Sequence, residues 1–173
     1  IGCGMIARIH GAAIARIPEA CLTGVFDPNM DSEKRFAQEH NVTVYPTMEA
    51  LLASPEVDAV CICTPSGLHA SQAVAAMEAG KHMVCEKPMS LTLADADRMI
   101  ETAERTGVKT CVISQYRFSD ATREVRRAIQ EGAFGRIVSG SLQMKYYRSL
   151  EYYASGAWRG TWEMDGGGCL MNQ

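Results

Sequence analysis

Short apolar runs alternate with segments of helical pattern over the first 113 residues. The apolar runs have the length of strands and lie at 22–26, 59–63, 82–85 and 110–113. The helical patterns between them cover 5–17, 31–40, 67–79 and 92–106, with Asp31 or Ser32 expected to cap the second and Thr92 the last. This alternation predicts an α/β fold with a doubly wound parallel sheet.

The pattern changes after about Tyr116. One helical segment follows near 119–131, then a glycine-containing turn at 131–135 and a strand-like stretch at 136–147. We therefore expect a first domain at 1–117 and the start of a second α/β domain at 118–173. Within the second, the segment 146–162 holds six of the twelve aromatic residues of the chain together with Arg148 and Arg159.

A glycine turn, Gly2-Cys3-Gly4-Met5-Ile6-Ala7, precedes the first helix. In such a turn the first glycine permits a tight bend, the second lets the backbone approach a pyrophosphate, and Met5 and Ile6 open a helix whose N-terminus faces the anion. A turn of this kind normally follows an apolar strand of about five residues. We therefore expect the opening strand to be truncated and the chain to be an internal fragment.

Asp27 lies twenty residues beyond Ala7, at the end of the next apolar run, where a carboxylate can accept hydrogen bonds from an adenosine ribose. The turn and this carboxylate together predict dinucleotide binding. A carboxylate also repels a 2′-phosphate, so we expect NAD rather than NADP. NADP remains an alternative, since Lys34 or Arg35 on the following helix could reach the 2′-phosphate.

Glu86-Lys87-Pro88 follows the apolar run 82–85, at the edge of the sheet where open α/β sheets bind their ligands. Pro88 biases Lys87 toward an extended backbone, so its amine can project into the same crevice as the dinucleotide and take a proton from a hydroxyl as hydride departs. The alternative is a surface lysine in a turn.

The loop from Thr64 and Pro65 to His69 follows the run 59–63 and is expected to line the same cleft. His69 either contacts the ribose or nicotinamide or is an ordinary residue of the following helix. We interpret His10, His40 and His82 as structural.

Six motifs in this order and spacing resemble the Gfo/Idh/MocA family of sugar and inositol dehydrogenases. They are the glycine turn, the 64–69 loop, Glu86-Lys87-Pro88, Gln115-Tyr116-Arg117-Phe118, Trp158-Arg159 and the triple glycine 166–168. The resemblance implies a Rossmann domain followed by an α/β domain with a mainly antiparallel open sheet, which often mediates oligomers. It also implies that Lys87 is the family lysine, that Glu86 and the 64–69 loop border the cofactor, and that Gln115, Trp158 and Arg159 lie near the nicotinamide.

In many relatives an aspartate and, four residues later, a histidine complete the catalytic set after the glycine run. Asn172 occupies what looks like the aspartate position, and the histidine would fall beyond Gln173. We place Lys87 and Asn172 in the catalytic set, although an amide cannot act as a base. This segment by itself is therefore expected to be inactive.

The aromatic and arginine-rich segment 146–162 suits a carbohydrate, because rings can cover a sugar face and an arginine can pair with a carboxylate or phosphate. Its expected substrate contacts are Tyr147, Arg148 and Arg159, with Lys87 and Asn172. The alternative is a packed strand and loop. The segment is also similar to family members that act on nucleotide-linked amino-sugar acids.

These features favour an NAD-dependent dehydrogenase that oxidises a secondary hydroxyl of a sugar, cyclitol or nucleotide sugar. Two alternatives stay open: a dinucleotide-binding regulator without turnover, and a lysine-dependent reductase of a semialdehyde or imine. The lysine argues against the regulator, which needs no base.

Net charge, apolar stretches and cysteine usage exclude several classes of protein. The net charge is −3, the pI is about 5.8 and the basic residues are scattered, so a nucleic-acid partner is not expected. No apolar stretch reaches the roughly twenty residues that span a membrane, and no signal peptide is visible. Four of the seven cysteines lie in apolar runs without zinc-site spacing. We expect a cytoplasmic protein without a metal, and the family resemblance implies a homo-oligomer when the protein is full length.

Overall fold

The centre of the fold is a set of five short parallel strands, in a computed structural model that describes residues 1–173. The strands are β1 (Gly24–Val25), β2 (Thr43–Val44), β3 (Ala59–Ile62), β4 (His82–Cys85) and β5 (Thr110–Val112). β1 pairs with β2, and the second sheet has the order β3-β4-β5. The predicted parallel α/β class is confirmed.

Residues 1 and 2 lie between the two sheets and hydrogen bond to both. The amino group of Ile1 donates to the carbonyl of Cys61 at 2.8 Å, and its carbonyl accepts from Cys63 N–H at 2.9 Å. On the other side, Gly2 N–H donates to the carbonyl of Phe26 at 2.9 Å. The spatial order is therefore β2, β1, residues 1–2, β3, β4 and β5. The order reverses at residues 1–2, which is where doubly wound sheets bind ligands.

The chain has nine α-helices. They are α1 (Met5–Ile14), α2 (Met30–His40), α3 (Met48–Ala53), α4 (His69–Glu78), α5 (Leu93–Thr106), α6 (Asp120–Gln130), α7 (Leu150–Ala154), α8 (Trp162–Asp165) and α9 (Cys169–Asn172). Short 3₁₀ helices lie at Ser66–Leu68 and Gln115–Phe118. No helix is long and apolar enough to cross a membrane.

The helix starts follow local capping. Thr92 caps α5 as predicted and accepts from Asp95 N–H at 3.1 Å. The cap of α2 is Asn29 rather than Asp31 or Ser32, because its side-chain oxygen accepts from Ser32 N–H at 3.0 Å. The two-residue strand β2 and the six-residue helix α3 were not predicted, since elements this short leave no periodic pattern.

Apolar packing divides into two clusters on either side of the switch point. The larger lies between β3, β4, α4 and α5 and includes Ile62, Met77 and Cys85, all fully buried. The smaller lies between β1, α1 and α2 around Val25 and Phe36. Burial of apolar surface in these two clusters stabilises the packing of the helices against the strands.

The predicted strand at 136–147 is wrong, and residues 118–173 contain no strand at all. A strand needs a neighbouring backbone to satisfy its N–H and C=O groups, and no residue of this chain pairs with the stretch. Its apolar side chains are correspondingly open, with Val138 87 % and Leu142 88 % exposed. The expected antiparallel sheet is therefore not formed by these residues.

The C-terminal residues pack against the Rossmann part. A Cβ on Gly67 would lie 2.6 Å from the carbonyl oxygen of Glu163 and 2.9 Å from the sulfur of Met164, so α8 approaches the 64–69 loop to within backbone contact. Three consecutive glycines, 166–168, then adopt positive φ angles and reverse the chain into α9. This reversal brings the C-terminal residues over the edge of β4.

Candidate active site

The glycine turn crosses the sheet at its switch point. Gly2 has φ +85°, and a Cβ there would lie 2.9 Å from the carbonyl carbon and oxygen of Cys63, so only glycine fits. Gly4 begins α1 without a side-chain cap, and nothing lies within 4 Å of the position of a Cβ. No acidic residue lies in the first turn of α1, where Met5 is 72 % exposed. The open helix start fits a pyrophosphate.

Asp27 lies beside this turn at the end of β1. Its carboxylate accepts from Cys3 N–H and from Asn29 N–H, each at 2.7 Å. Its own N–H donates to the buried Glu33 at 3.1 Å. Each carboxylate oxygen has lone pairs beyond these bonds, so the side chain can still accept from a ribose. Lys34 and Arg35 are exposed on α2.

Glu86 is buried at the end of β4 and pairs with His10 of α1. Its Oε1 lies 2.8 Å from Nε2 of His10, and Oε2 accepts from Lys87 N–H at 3.2 Å. Hydrogen bonding with the Cys61 and Cys63 thiols and with Glu86 raises the pKa of His10 to about 12. Burial acts to raise the pKa of Glu86, but the hydrogen bond and charge of His10 outweigh it and leave that pKa below its ordinary value. The pair is therefore ionised at neutral pH.

The Lys87 side chain reaches the C-terminal residues. Its Nζ donates to the side-chain Oδ1 of Asn172 at 2.6 Å and to the Asn172 carbonyl at 2.7 Å. The Asn172 amide in turn donates to Asp165 at 2.5 Å. The half-buried lysine is thus held at a defined point of the crevice by a residue 85 positions later.

His69 is 1 % exposed and has both ring nitrogens against backbone carbonyls: Nδ1 is 2.7 Å from Pro88 and Nε2 is 2.9 Å from Thr64. It joins the loop after β3 to the loop after β4, so its ring is not open to a ligand. The Thr64 hydroxyl donates to Gln72 at 2.6 Å, and Pro65 precedes the 3₁₀ turn.

An arginine and tyrosine cluster adjoins Asn172. We define this Arg/Tyr cluster by Tyr146, Arg148, Tyr152, Trp158 and Arg159. The Arg159 guanidinium lies 4.4 Å from the Tyr152 ring centroid and 4.7 Å from that of Trp158, and Nη1 donates to the Tyr152 hydroxyl at 2.7 Å. Arg148 stacks on Tyr146 and Tyr152 at 5.0 and 4.8 Å.

Gln173 links this cluster to the lysine. Its oxygen accepts from Arg148 Nε at 2.6 Å and its amide donates to the Tyr152 hydroxyl at 2.7 Å. These contacts, with the peptide bond from Asn172 to Gln173, connect Lys87 to four predicted site residues of 118–173, namely Arg148, Trp158, Arg159 and Asn172. Tyr147, 86 % exposed, and Gln115, also exposed, are not drawn into this network.

Two family models together account for nearly the whole chain. The model described as "Oxidoreductase family, NAD-binding Rossmann fold" matches residues 1–114, and the "GFO/IDH/MocA C-terminal domain" matches residues 122–173. The chain belongs to the GFO/IDH/MocA oxidoreductase family. The resemblance seen in the sequence motifs is thereby confirmed.

The chain is similar to proteins that are named as enzymes of cyclitol and sugar metabolism. The chain is 33% identical to a myo-inositol 2-dehydrogenase of Thermotoga maritima over 79% of this chain and 41% of that protein. It is 32% identical to a 1,5-anhydro-D-fructose reductase of Ensifer adhaerens over 99% of this chain and 51% of the relative. The chain thus spans about half the length of the curated relatives it matches.

Among solved structures, the chain is similar to the WlbA dehydrogenase from Bordetella pertussis in complex with NADH and UDP-GlcNAcA. The TM-score is 0.90 at 35% identity, and the match covers 99% of this chain and 50% of that one. A likeness of this extent includes the C-terminal residues as well as the Rossmann part.

The sequence analysis did not single out Asp165 or Gln173, and it did not predict the partner of His10. Asp165 directly precedes the triple glycine, and this position beside three glycines was the one local signal for it, while its burial is visible only in the structure. Gln173 carried no signal. His10, which we interpret as structural, forms an ion pair with Glu86 across 76 positions, and no local pattern reveals that partner.

Proposed function

We propose that this chain supplies the NAD-binding part and the catalytic lysine of a dehydrogenase that oxidises a secondary hydroxyl of a sugar derivative. The favoured substrate is a nucleotide-linked amino-sugar acid of the UDP-GlcNAcA type. The observation that carries the proposal is the Lys87 amine at the end of β4, held by Asn172, whose neighbour Gln173 contacts the Arg/Tyr cluster.

The cofactor residues of the proposal are those around the switch point. Gly2, Gly4, Met5 and Ile6 would hold the pyrophosphate at the start of α1, and Asp27 would accept from the adenosine ribose. Asp27 favours NAD over NADP, because its charge opposes a 2′-phosphate. When bound, NAD supplies a hydride acceptor at its nicotinamide ring. Thr64, Pro65, Glu86, Gln115, Trp158 and Arg159 would border the nicotinamide half of the cofactor. His69 would support the crevice indirectly, by joining the loops that carry Thr64 and Pro88.

Lys87 acts as the base in this proposal. In its neutral form Nζ accepts the proton of the substrate hydroxyl, while the carbinol carbon loses its hydride and becomes a ketone. Asn172 has no basic atom and serves to hold Nζ in place. The same groups in reverse would reduce a ketone to the alcohol.

Substrate choice rests on the Arg/Tyr cluster. Arg148 and Arg159 are suited to a carboxylate or diphosphate, and the rings of Tyr152 and Trp158 to a sugar face. Tyr147 lies outside the cluster and would add a further ring from its exposed position. The similarity to the WlbA dehydrogenase, whose structure holds UDP-GlcNAcA, supports an acidic nucleotide sugar over a neutral cyclitol.

Partner and compartment belong to the same proposal. Exposed apolar side chains of the second segment, such as Val138 and Leu142, support assembly into a homo-oligomer in the complete protein. All seven cysteines are free, which supports the reducing cytoplasm.

The base is tested by Lys87→Ala in the complete protein. Turnover should fall by roughly 10²- to 10⁴-fold, the usual contribution of a general base, while NAD affinity stays within a few fold. Lys109→Ala, at the opposite edge of the sheet, is the matched control and should keep full turnover. If Lys87→Ala retains turnover, Lys87 is not the base. A parent protein that binds NAD but turns over no substrate would be a regulator.

Substrate class is tested by NADH formation against UDP-GlcNAcA, UDP-GlcNAc, myo-inositol and free aldoses. The acidic nucleotide sugar should give the highest kcat/KM. A preference for myo-inositol or a free aldose would overturn the narrower assignment and leave the dehydrogenase assignment standing.

A further inference from the structure

Asp165 is a buried carboxylate without a cationic partner. Its residue is 1 % exposed, and its two oxygens accept from Gly160 N–H at 2.7 Å and from the Asn172 side-chain amide at 2.5 Å. None of the ion pairs of the chain includes it. A buried charge that is stabilised by neutral donors alone is unfavourable for folding. Fold stability alone therefore does not explain an aspartate at position 165.

The hydrogen bonds among Asp165, Asn172 and Lys87 give Asp165 a second role. An ionised carboxylate only accepts hydrogen bonds, so the group that Asn172 presents to Asp165 must be its NH₂. The amide is planar, and its oxygen then faces the opposite way, toward Lys87, where it accepts from Nζ at 2.6 Å. The orientation of Asn172 is set by the charge at position 165.

We infer that Asp165 is a positioning residue of the active site, which fixes the Asn172 amide and through it the Lys87 amine. The inference rests on the proposed role of Lys87 as the base. Asp165 itself contacts neither the amine nor the open crevice.

Asp165→Asn makes this arrangement impossible to satisfy. If the new side-chain amide turns its oxygen to Gly160 N–H, its NH₂ faces the NH₂ of Asn172. If Asn172 then rotates to relieve that contact, its NH₂ faces the Lys87 ammonium. Each choice leaves two donors opposed, although the side chain has hardly changed in size.

The exchange of the two residues restores every bond. In Asp165→Asn combined with Asn172→Asp, the amide at position 165 accepts from Gly160 N–H and donates to the new carboxylate at position 172. That carboxylate accepts from Lys87 on its other oxygen. The same groups are present, with the charge moved next to the lysine. A role in fold stability alone does not predict that the exchange restores the position of Lys87.

The test measures turnover and the chemical reactivity of Lys87 in the complete protein. Asp165→Asn should lower kcat by roughly 10- to 100-fold with the KM for NAD within threefold. It should also raise the rate at which an amine-reactive acylating reagent labels Lys87, relative to Lys109, by several fold in peptide mass spectrometry. Glu163→Gln, an exposed acid of the same helix, is the matched control and should change neither.

In the exchange variant, Lys87 should be labelled as slowly as in the parent protein. Its kcat should be at least tenfold higher than that of Asp165→Asn. It should also shift the pH–rate profile to higher pH, because a carboxylate now contacts the ammonium directly. Unchanged labelling in Asp165→Asn, or no recovery in the exchange, would overturn the inference. The labelling readout needs no turnover, so it still tests the inference if Lys87→Ala proves that the lysine is not the base. If Asp165→Asn fails to fold, the labelling and pH profile of the exchange variant decide.

Discussion

The Lys87 ammonium donates two hydrogen bonds to Asn172, one to the side-chain oxygen at 2.6 Å and one to the backbone carbonyl at 2.7 Å. The lysine comes from the Rossmann part and the asparagine from the last helix. The position of the amine is therefore set by the docking of the C-terminal residues as well as by β4. Substitutions in the Rossmann part and in the C-terminal residues should therefore have different effects on cofactor binding, substrate preference and stability.

The two glycines of the turn should respond differently to an added methyl group. Gly2→Ala places a Cβ 2.9 Å from the Cys63 carbonyl at a positive φ, so it should lower stability by about 1–3 kcal/mol and the melting temperature with it. Gly4→Ala meets open space at a negative φ and should melt close to the parent, yet weaken NAD binding about tenfold by obstructing the pyrophosphate. Thermal melts and NAD titrations check both. Equal melting temperatures for the two variants would contradict the argument.

Asp27 should set the choice between NAD and NADP. Asp27→Ser removes the charge that opposes a 2′-phosphate, so the ratio of kcat/KM for NADP to that for NAD should rise about tenfold or more. Asp27→Asn is the matched variant, because it keeps an acceptor for Cys3 N–H, which Asp27 holds at 2.7 Å, while removing the charge. A parent that already prefers NADP would show that Lys34 or Arg35 outweighs the carboxylate.

The sequence was most informative where signals were local or periodic. The bounds of β4 and the cap of α5 at Thr92 follow directly from an apolar run and a threonine before a helix. The positions of Lys87 and Asn172 were suggested by motifs, but their contact could not be, because no pattern links residues 85 apart. The partner of His10 was missed for the same reason, since Glu86 lies 76 positions away in another element. Asp165 was missed although its partners Gly160 and Asn172 are near in sequence, because its burial exists only in the folded chain. The strand at 136–147 failed because a strand exists only with a partner backbone.

Arg148 should determine the preference for an acidic substrate. Its guanidinium is exposed, stacked on two tyrosines and oriented by Gln173, so it can pair with a carboxylate. Arg148→Met should reduce kcat/KM for UDP-GlcNAcA about 10- to 100-fold and change that for neutral UDP-GlcNAc little. Arg148→Lys keeps the charge but loses the planar fork, and should recover only part of the loss. Equal losses on both substrates would indicate a packing role.

The His10–Glu86 pair should make stability depend on pH in a defined direction. The pKa of His10 is raised from 6.5 to about 12, so its contribution is full below pH 6.5 and is lost as the pH rises toward 12. The pKa of Glu86 is lowered from 4.5, so its contribution is full above pH 4.5 and is lost as the pH falls below that value. The pair therefore stabilises most between these two ordinary values.

His10→Gln should destabilise the protein by about 1–3 kcal/mol at pH 5.5, because Glu86 stays buried at the end of β4 without its cation. The difference in melting temperature from the parent should shrink between pH 5.5 and pH 9. Over this range the unfolded protein loses the proton of His10 while the folded protein keeps it, so the charged imidazole contributes less to the free energy of unfolding. Arg8→Gln is the matched control on the same helix: its partner Glu39 and its own side chain are 43% and 49% exposed, so its effect should stay below about 0.5 kcal/mol and change little over this range. A His10→Gln difference that grows toward pH 9 would show that the imidazole is neutral in the folded protein and that Glu86 is held by a hydrogen bond alone.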